Sequence, residues 1–414
     1  MTTSQQPTAA GAPSAYTAAL DAPPAVDESL LARARSIEEI VRAHADDAER
    51  DRRLARPVLD ALRDAGLFRL FTPRALGGLE ADPVSVAHAA EILAGYDSAA
   101  AWALQAGNTG AWWTSRFSDA GVTELFADGP DLVLAASFSP PHRAVAVPGG
   151  YRLTGRGPLA SGIHDAPWVM MTGVVFDGEQ PRMTADGPQV VALVMRTREV
   201  QIPDTWHSLG MRGTDSAHVS AEDVFVPTAR SYVLSPEVAL RAPFDGPLYR
   251  LPAPTSVSVF IVPVALAIAR GALDALAELA HRKTPLGASR TLRHRATVQA
   301  ALADGEAQWR AARLLFHDAL ATAWRRALAG EPATLRHRAD LMLAGTHAVQ
   351  TAARVTDLMH RMGGTAGIYA GSRLERCLRD AQTVRHHGFL GEARLETVGQ
   401  VYLDVAPEFV MVAF

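Results

Sequence analysis

Residues Trp206 to Pro227 read WHSLGMRGTDSAHVSAEDVFVP, a glycine-punctuated loop that runs into a strand of alternating character. A loop carrying Gly210, Gly213, Thr214 and Ser216 can bring bare backbone N–H groups and hydroxyls against a ligand, because glycine lacks the side chain that would block approach. That chemistry suits a polyanionic or heterocyclic cofactor. A tight turn ahead of a hairpin is the competing reading.

Upstream of this loop, from about Asp131, the runs LVLAASF, GGYRLTG, WVMMTGVVF and QVVALVMR are short, β-branched and separated by Gly, Pro and Asp. With the strand HVSAEDVFV they predict a small antiparallel barrel or sandwich over residues 129–240. On either side the period changes to that of helices. In residues 28–128, Val58, Leu59, Leu62 and Ala65 recur at three- and four-residue spacing, a second helix is predicted from Pro83 to Tyr96, and a third starts at a cap at Asp97 or Ser98. In residues 241–414, Val298, Leu302, Gly305, Trp309, Ala312 and Phe316 form a heptad-like stripe that predicts helices packed side by side.

Nearly half of the 414 residues are apolar and the formal net charge is −4, which points away from nucleic acid and from anionic membrane surfaces as partners. The single cysteine, Cys377, leaves no internal disulfide framework or thiolate metal site and fits a reducing cytoplasm. Residues 1–27 are rich in Ala, Pro, Thr and Ser and are read as a disordered tail rather than a signal peptide. The apolar run Val257 to Ala269 is too short to span a bilayer and contains Pro263, so it reads as a buried helix. The histidines show no HExxH-like spacing, and no metal is expected.

Five segments, LRDAGLFRLFTPRALGGLE, GGYRLTGRGPLASGIHDAPWVM, GMRGTDS, LAIARGALDALAELAHRKTP and LERCLRDAQTVRHH, resemble in order their counterparts in the acyl-CoA dehydrogenase superfamily. The resemblance covers the chain from about residue 30 and implies an α+β fold: an N-terminal helical domain, a central antiparallel β-barrel or sandwich, and a C-terminal four-helix bundle. Dehydrogenases of this superfamily commonly carry a catalytic glutamate in a YEGT-type segment after an RDA motif. Here Arg379-Asp380-Ala381 is followed by QTVRHHGFLGEARLETVG, with no such segment, and the nearest acids, Glu392 and Glu396, fall outside its place. The tail resembles instead that of two-component flavin-dependent monooxygenases, in which a histidine follows the motif's arginine by eight positions, here His387.

That resemblance implies FMNH2 or FADH2 supplied by a separate flavin reductase, O2 as cosubstrate, a flavin 4a-hydroperoxide as oxidant, and a bulky, mostly apolar aromatic or natural-product substrate. It also implies a homo-oligomer, a tetramer or a dimer. The chain has no GxGxxG fingerprint opening a helix after a strand, which agrees with a nicotinamide site lying on a partner. Acyl-thioester oxidation is the alternative activity, and a scaffold that has lost flavin is a third reading.

By resemblance, Ser161 takes the place of the serine at the flavin N5 nitrogen, and His387 that of the group that moves the substrate or peroxide proton. Trp206 is expected as a wall of the isoalloxazine ring, with Thr214 and Ser216 on its polar edge. The SFSP turn, including Phe138 and Ser139, is expected beneath it. Arg282, Lys283 and Arg293 are expected to hold a phosphate across a subunit boundary, and Gly363 and Gly364 resemble the glycine pair that approaches the cofactor of a neighbouring subunit. Trp112 and Trp113 are expected to seat the substrate. Several aromatic hydroxylases carry a histidine where this chain has Gly110, and Asn108 is the nearby polar side chain expected to substitute. Taken singly, these residues have plainer readings: turn serines, a solvent-facing histidine pair, core tryptophans and a solvated helix end.

Overall fold

The computed structural model describes residues 26–184, 187–235 and 239–413. The expected disordered tail therefore lies, up to residue 25, outside the described residues; Asp27 caps the first helix by accepting a hydrogen bond from the Ser29 amide.

Among the described residues seven α-helices come first: α1 (Glu28–Ser36), α2 (Glu38–Ala43), α3 (Ala45–Asp51), α4 (Arg56–Asp64), α5 (Pro83–Ala94), α6 (Ser98–Thr114) and α7 (Asp119–Leu125). Their starts follow from the sequence. Asp82 accepts from the Ser85 amide with Pro83 in the first turn, and Asp97 accepts from the Ala100 amide, so each carboxylate satisfies a donor that the helix itself leaves open. α6 is buried on most of its circumference, because it runs between the sheet and the C-terminal helices.

The strands are β1 (Leu134–Val147), β2 (Gly150–Ala160), β3 (Trp168–Asp177), β4 (Gln180–Pro181), β5 (Met183–Thr184), β6 (Gly187–Pro188), β7 (Val190–Arg196), β8 (Ala217–Pro227) and β9 (Ser231–Val233). Here the structure corrects the expectation of an antiparallel barrel or sandwich. The main sheet is mixed, in the order β8-β2-β1-β3-β7-β9 with β4 beside β3, and β1 and β3 run parallel. The reason is local. β2 folds back along one edge of β1, and residues 161–167 then carry the chain across to the other edge, where β3 enters in the direction of β1. The expected SFSP turn is likewise not a turn: it lies within β1, where the register against β3 slips between Ser137 and His142.

The remaining helices are α8 (Ala253–Arg282), α9 (Ala296–Leu328), α10 (Leu335–Gly363), α11 (Arg373–Val384) and α12 (Arg394–Tyr402). α8 packs against α5, α6, α9, α10 and α11, which is why its first half, from Ala253 to Ala269, is apolar on all sides. It is long and apolar enough to cross a membrane, yet 94% of its most apolar window is buried inside the fold. Four members of the predicted α9 stripe, Val298, Gly305, Ala312 and Phe316, are buried, and the indole of Trp309 donates to the carbonyl of Leu266 on α8 over 2.9 Å.

Candidate active site

A cavity of about 630 Å³ opens where α6, β1, the end of β2, the loop before β8 and the residues after α11 meet. One face of α6 forms a wall. Trp102, Gln105, Ala106, Thr109, Gly110 and Trp113 line it at three-, four- and seven-residue intervals, the spacing of a single helical stripe. Opposite stand Phe138, Leu159, Ser161, Trp206, Thr214 and Ser216, and the far end is closed by Gln382, Thr383, His386, His387 and Phe389. Among the described lining residues there is no Asp, Glu, Lys or Arg.

The hydroxyls form a chain. Ser161 Oγ lies 2.7 Å from Ser216 Oγ, which lies 2.7 Å from Thr214 Oγ1. Thr214 donates in turn to the carbonyl of Met211 over 2.9 Å, and at the other end the indole N–H of Trp102 donates to Ser161 Oγ over 3.1 Å. The loop is bent to make this possible, with Met211 and Asp215 both in left-handed backbone conformation. It is also fastened from outside. The Asp380 carboxylate accepts from the Met211 amide at 2.6 Å, Thr383 Oγ1 accepts from the Gly210 amide at 3.0 Å, and Asp215 accepts from His164 Nδ1 at 2.8 Å and from the His164 amide at 3.0 Å. Arg379, next to Asp380, is held by Glu375 and Glu49, each at 2.5 Å. The RDA segment is therefore a clasp on the loop, and only Gln382, Thr383 and the residues after α11 reach the cavity.

His387 packs edge-on against Trp102, with ring centroids 5.7 Å apart, and beside Phe389. Burial pushes its pKa down to about 4, so the ring is neutral at pH 7. The amide of Phe389 donates to Nδ1 over 3.3 Å, which leaves the ring hydrogen on Nε2.

Of the residues expected at the site, Ser161, Trp206, Thr214, Ser216, Phe138, Trp113 and His387 line this one cavity. The backbone of Ser139 belongs to β1, but its side chain lies outside the described residues. Two expectations need correction. Asn108 does not line the cavity: its Oδ1 accepts from the amides of Leu70 and Phe71, and its Nδ2 donates to the carbonyls of Leu67 and Leu104, so the whole amide is used in joining α6 to the chain after α4. Trp112 is also turned away, fully buried beneath the Arg116 guanidinium at 3.6 Å. Both lie off the cavity stripe of α6. Gly110 is on that stripe, but a Cβ there would meet Leu134 Cβ at 2.7 Å, so its bareness serves the close approach of α6 to β1.

The expected phosphate-binding group sits elsewhere. Lys283, just past the end of α8, donates to the carbonyl of Gly363 at 2.8 Å and to Thr365 Oγ1 at 3.3 Å, next to Gly364; Arg282 and Arg293 are exposed nearby in sequence. None of them reaches the cavity of this chain. Trp102, Thr109, Gln382 and Thr383 were not singled out from sequence. The helical stripe leading back from Trp113 contains the first two.

One group among the described residues could offer three metal ligands: His88 and Glu91 on α5 with His317 on α9. Its carboxylate is already bound by Arg313 at 2.7 Å, and the same guanidinium lies 3.3 Å from His88 Nδ1, so a fixed cation occupies the centre of the group.

An N-terminal helical part, a central sheet and a C-terminal helical bundle with an uncharged cavity at their junction define the acyl-CoA dehydrogenase-like class. The family models described as acyl-CoA dehydrogenase, N-terminal domain, and acyl-CoA dehydrogenase, C-terminal domain, match residues 28–121 and 259–392, and the chain belongs to this family. It is 30% identical over 366 residues to the indole-3-acetate monooxygenase of Pseudomonas putida, covering 88% of this chain and 91% of that one. It is 25% identical to the oxygenase component of the FADH(2)-dependent resorcinol hydroxylase of Rhizobium sp., covering 92% and 95%. The structure of XiaF from Streptomyces sp. in complex with FADH2 and glycerol superposes with a TM-score of 0.83 at 25% identity, covering 92% of this chain and 96% of that one.

Proposed function

We propose that this protein is the oxygenase component of a two-component flavin-dependent monooxygenase that oxygenates an aromatic substrate. One observation carries the choice over thioester oxidation: the cavity holds hydroxyls and a neutral imidazole but, among its described lining residues, no carboxylate to remove an α-proton. Glu392 and Glu396, the nearest acids after α11, do not line it.

The residues present suit a flavin. The cavity is of the size that takes a planar heterocycle together with a small aromatic. The Trp206 indole N–H is spent on the carbonyl of Arg212 at 2.9 Å, which holds the ring as an apolar wall, and the hydroxyls of Ser161, Ser216 and Thr214 supply the polar edge. Reduced flavin, when bound, activates O2 and delivers one oxygen atom to the substrate. Ser161 would meet the reacting edge of the ring, while Trp113, Phe138 and Phe389 exclude water and seat the aromatic substrate. His387 presents its Nε2 hydrogen rather than a lone pair, so its part is to donate a hydrogen bond to the oxygen that gains negative charge.

The flavin phosphate would be met by Lys283, Arg282 and Arg293 of a neighbouring subunit in a homo-oligomer. The fully exposed Leu286 and the exposed Ile368 and Tyr369 give that end of the bundle an apolar surface for such a contact. The electrons would come from a separate reductase in the same reducing compartment. Protein mixed with an NADH-driven flavin reductase, O2 and indole-3-acetate or a resorcinol is expected to give a product heavier by one oxygen atom that carries label from 18O2. Reduction of bound flavin by an acyl-CoA under anaerobic conditions would instead establish thioester oxidation.

A further inference from the structure

The direction of every hydrogen in the Trp102–Ser161–Ser216–Thr214–Met211 chain is fixed by its ends. An indole N–H can only donate and a backbone carbonyl can only accept. Thr214 must give its hydrogen to the Met211 carbonyl, 2.9 Å away. The 2.7 Å contact between Thr214 and Ser216 then needs the hydrogen of Ser216, and the 2.7 Å contact between Ser216 and Ser161 needs the hydrogen of Ser161. Trp102 occupies one lone pair of Ser161 from the other side. What remains of the Ser161 hydroxyl in the cavity is a single lone pair, with no hydrogen to offer.

Resting on the flavin reading above, we propose that this polarised chain makes Ser161 an obligate acceptor and so gives the site its preference between redox states of the cofactor. Reduced flavin carries N–H at N5, whereas oxidised flavin carries a lone pair there. An acceptor-only oxygen pairs with the first and opposes the second. Thr214 and Ser216 act as positioning residues: they set the Ser161 hydrogen through the chain. The arrangement suits an enzyme that receives its cofactor reduced and must release it oxidised after each turnover, because the flavin, once back in its oxidised form, has lost the matched hydrogen at N5.

The test measures dissociation constants of photoreduced and oxidised FMN and FAD, anaerobically, from quenching of tryptophan fluorescence. Wild-type protein is expected to bind the reduced form more tightly. In Thr214→Val the end of the chain is lost, Ser216 turns to donate to Ser161, and the Ser161 hydrogen is released toward the cavity; Ser216→Ala releases it directly. In both variants the ratio of oxidised to reduced dissociation constants is expected to fall by about tenfold, the worth of one hydrogen bond gained or lost. Thr214→Ser restores the chain and should restore the ratio. Trp102→Phe leaves the accepting end intact and should weaken both redox states alike. A ratio unchanged in Thr214→Val and Ser216→Ala, with flavin still bound, would overturn the inference and leave the flavin reading standing. Failure of wild-type protein to bind any flavin in either state would overturn both.

Discussion

The amide of Phe389 donates to Nδ1 of His387, two residues earlier in the chain. This short backbone contact fixes the tautomer, so a side chain expected from sequence to take a substrate proton or give one to a peroxide is held as a hydrogen-bond donor. Burial keeps the ring neutral, with a pKa near 4 rather than 6.5. The oxygenation rate at saturating reduced flavin is therefore expected to show no inflection near pH 6.5, the ordinary histidine value. His387→Ala is expected to lower that rate by about 10²-fold, the cost of one hydrogen-bond donor aimed at developing charge. His387→Gln, which keeps an N–H donor, should recover part of it. A wild-type inflection near pH 6.5 that vanishes in His387→Ala would show a base instead.

Asp380 gives a pH dependence of stability with a definite sign. Burial raises its carboxyl from 3.8 to about 7, while the Met211 amide and Arg376 act to lower it. The unfolded chain releases this proton near 3.8 and the folded chain holds it to about 7, so between those values the folded state binds more protons. Its contribution thus falls as pH rises through that window and is flat above it. Asp380→Asn, whose carbonyl can still accept from Met211, is expected to reduce the loss of thermal midpoint between pH 5 and pH 7 relative to wild type. Asp380→Ala leaves the Met211 amide buried without a partner, at a cost of about 1–3 kcal/mol in thermal unfolding.

Asn108 tests the difference between a buried polar group and a pocket group. Four hydrogen bonds join its amide to Leu67, Leu70, Phe71 and Leu104, and it does not touch the cavity. Asn108→Ala is expected to destabilise the protein by at least about 3 kcal/mol, since several buried backbone groups lose their partner together. Product regiochemistry from the protein that folds should stay as in wild type. Changed regiochemistry with unchanged stability would return Asn108 to the substrate site.

Much of this site was legible in the sequence because its parts carry local signals. The glycines of GMRGTDS mark the loop, and the histidine after the RDA motif marks the far end. Capping and period placed the helices: of the two expected caps, Asp97 is the one that caps α6. What failed was orientation and pairing. Asn108 and Trp112 lie one residue from Thr109 and Trp113, and one residue on a helix is a turn of about 100°. The parallel pairing of β1 with β3 has no local signature, because alternation is the same for either direction. The proton on His387 depends on a backbone amide, which no side-chain pattern reveals.

At Gly210 the cavity loop crosses α11. A Cβ at this position would fall against the carbonyl of Arg379 and lie 2.5 Å from the Asp380 nitrogen. These are backbone atoms inside a helix, held there by the Arg379 ion pairs with Glu49 and Glu375, so the loop has to move rather than the helix. Movement would break the Gly210 amide contact to Thr383 and the Met211 amide contact to Asp380, and with them the carbonyl on which the hydroxyl chain ends. Gly210→Ala is therefore expected to lose flavin binding by tenfold or more, on the order of two to three hydrogen bonds, while circular dichroism reports an unchanged helix content. Near-wild-type flavin affinity in this variant would mean that the clasp between α11 and the loop is not what holds the hydroxyls in place.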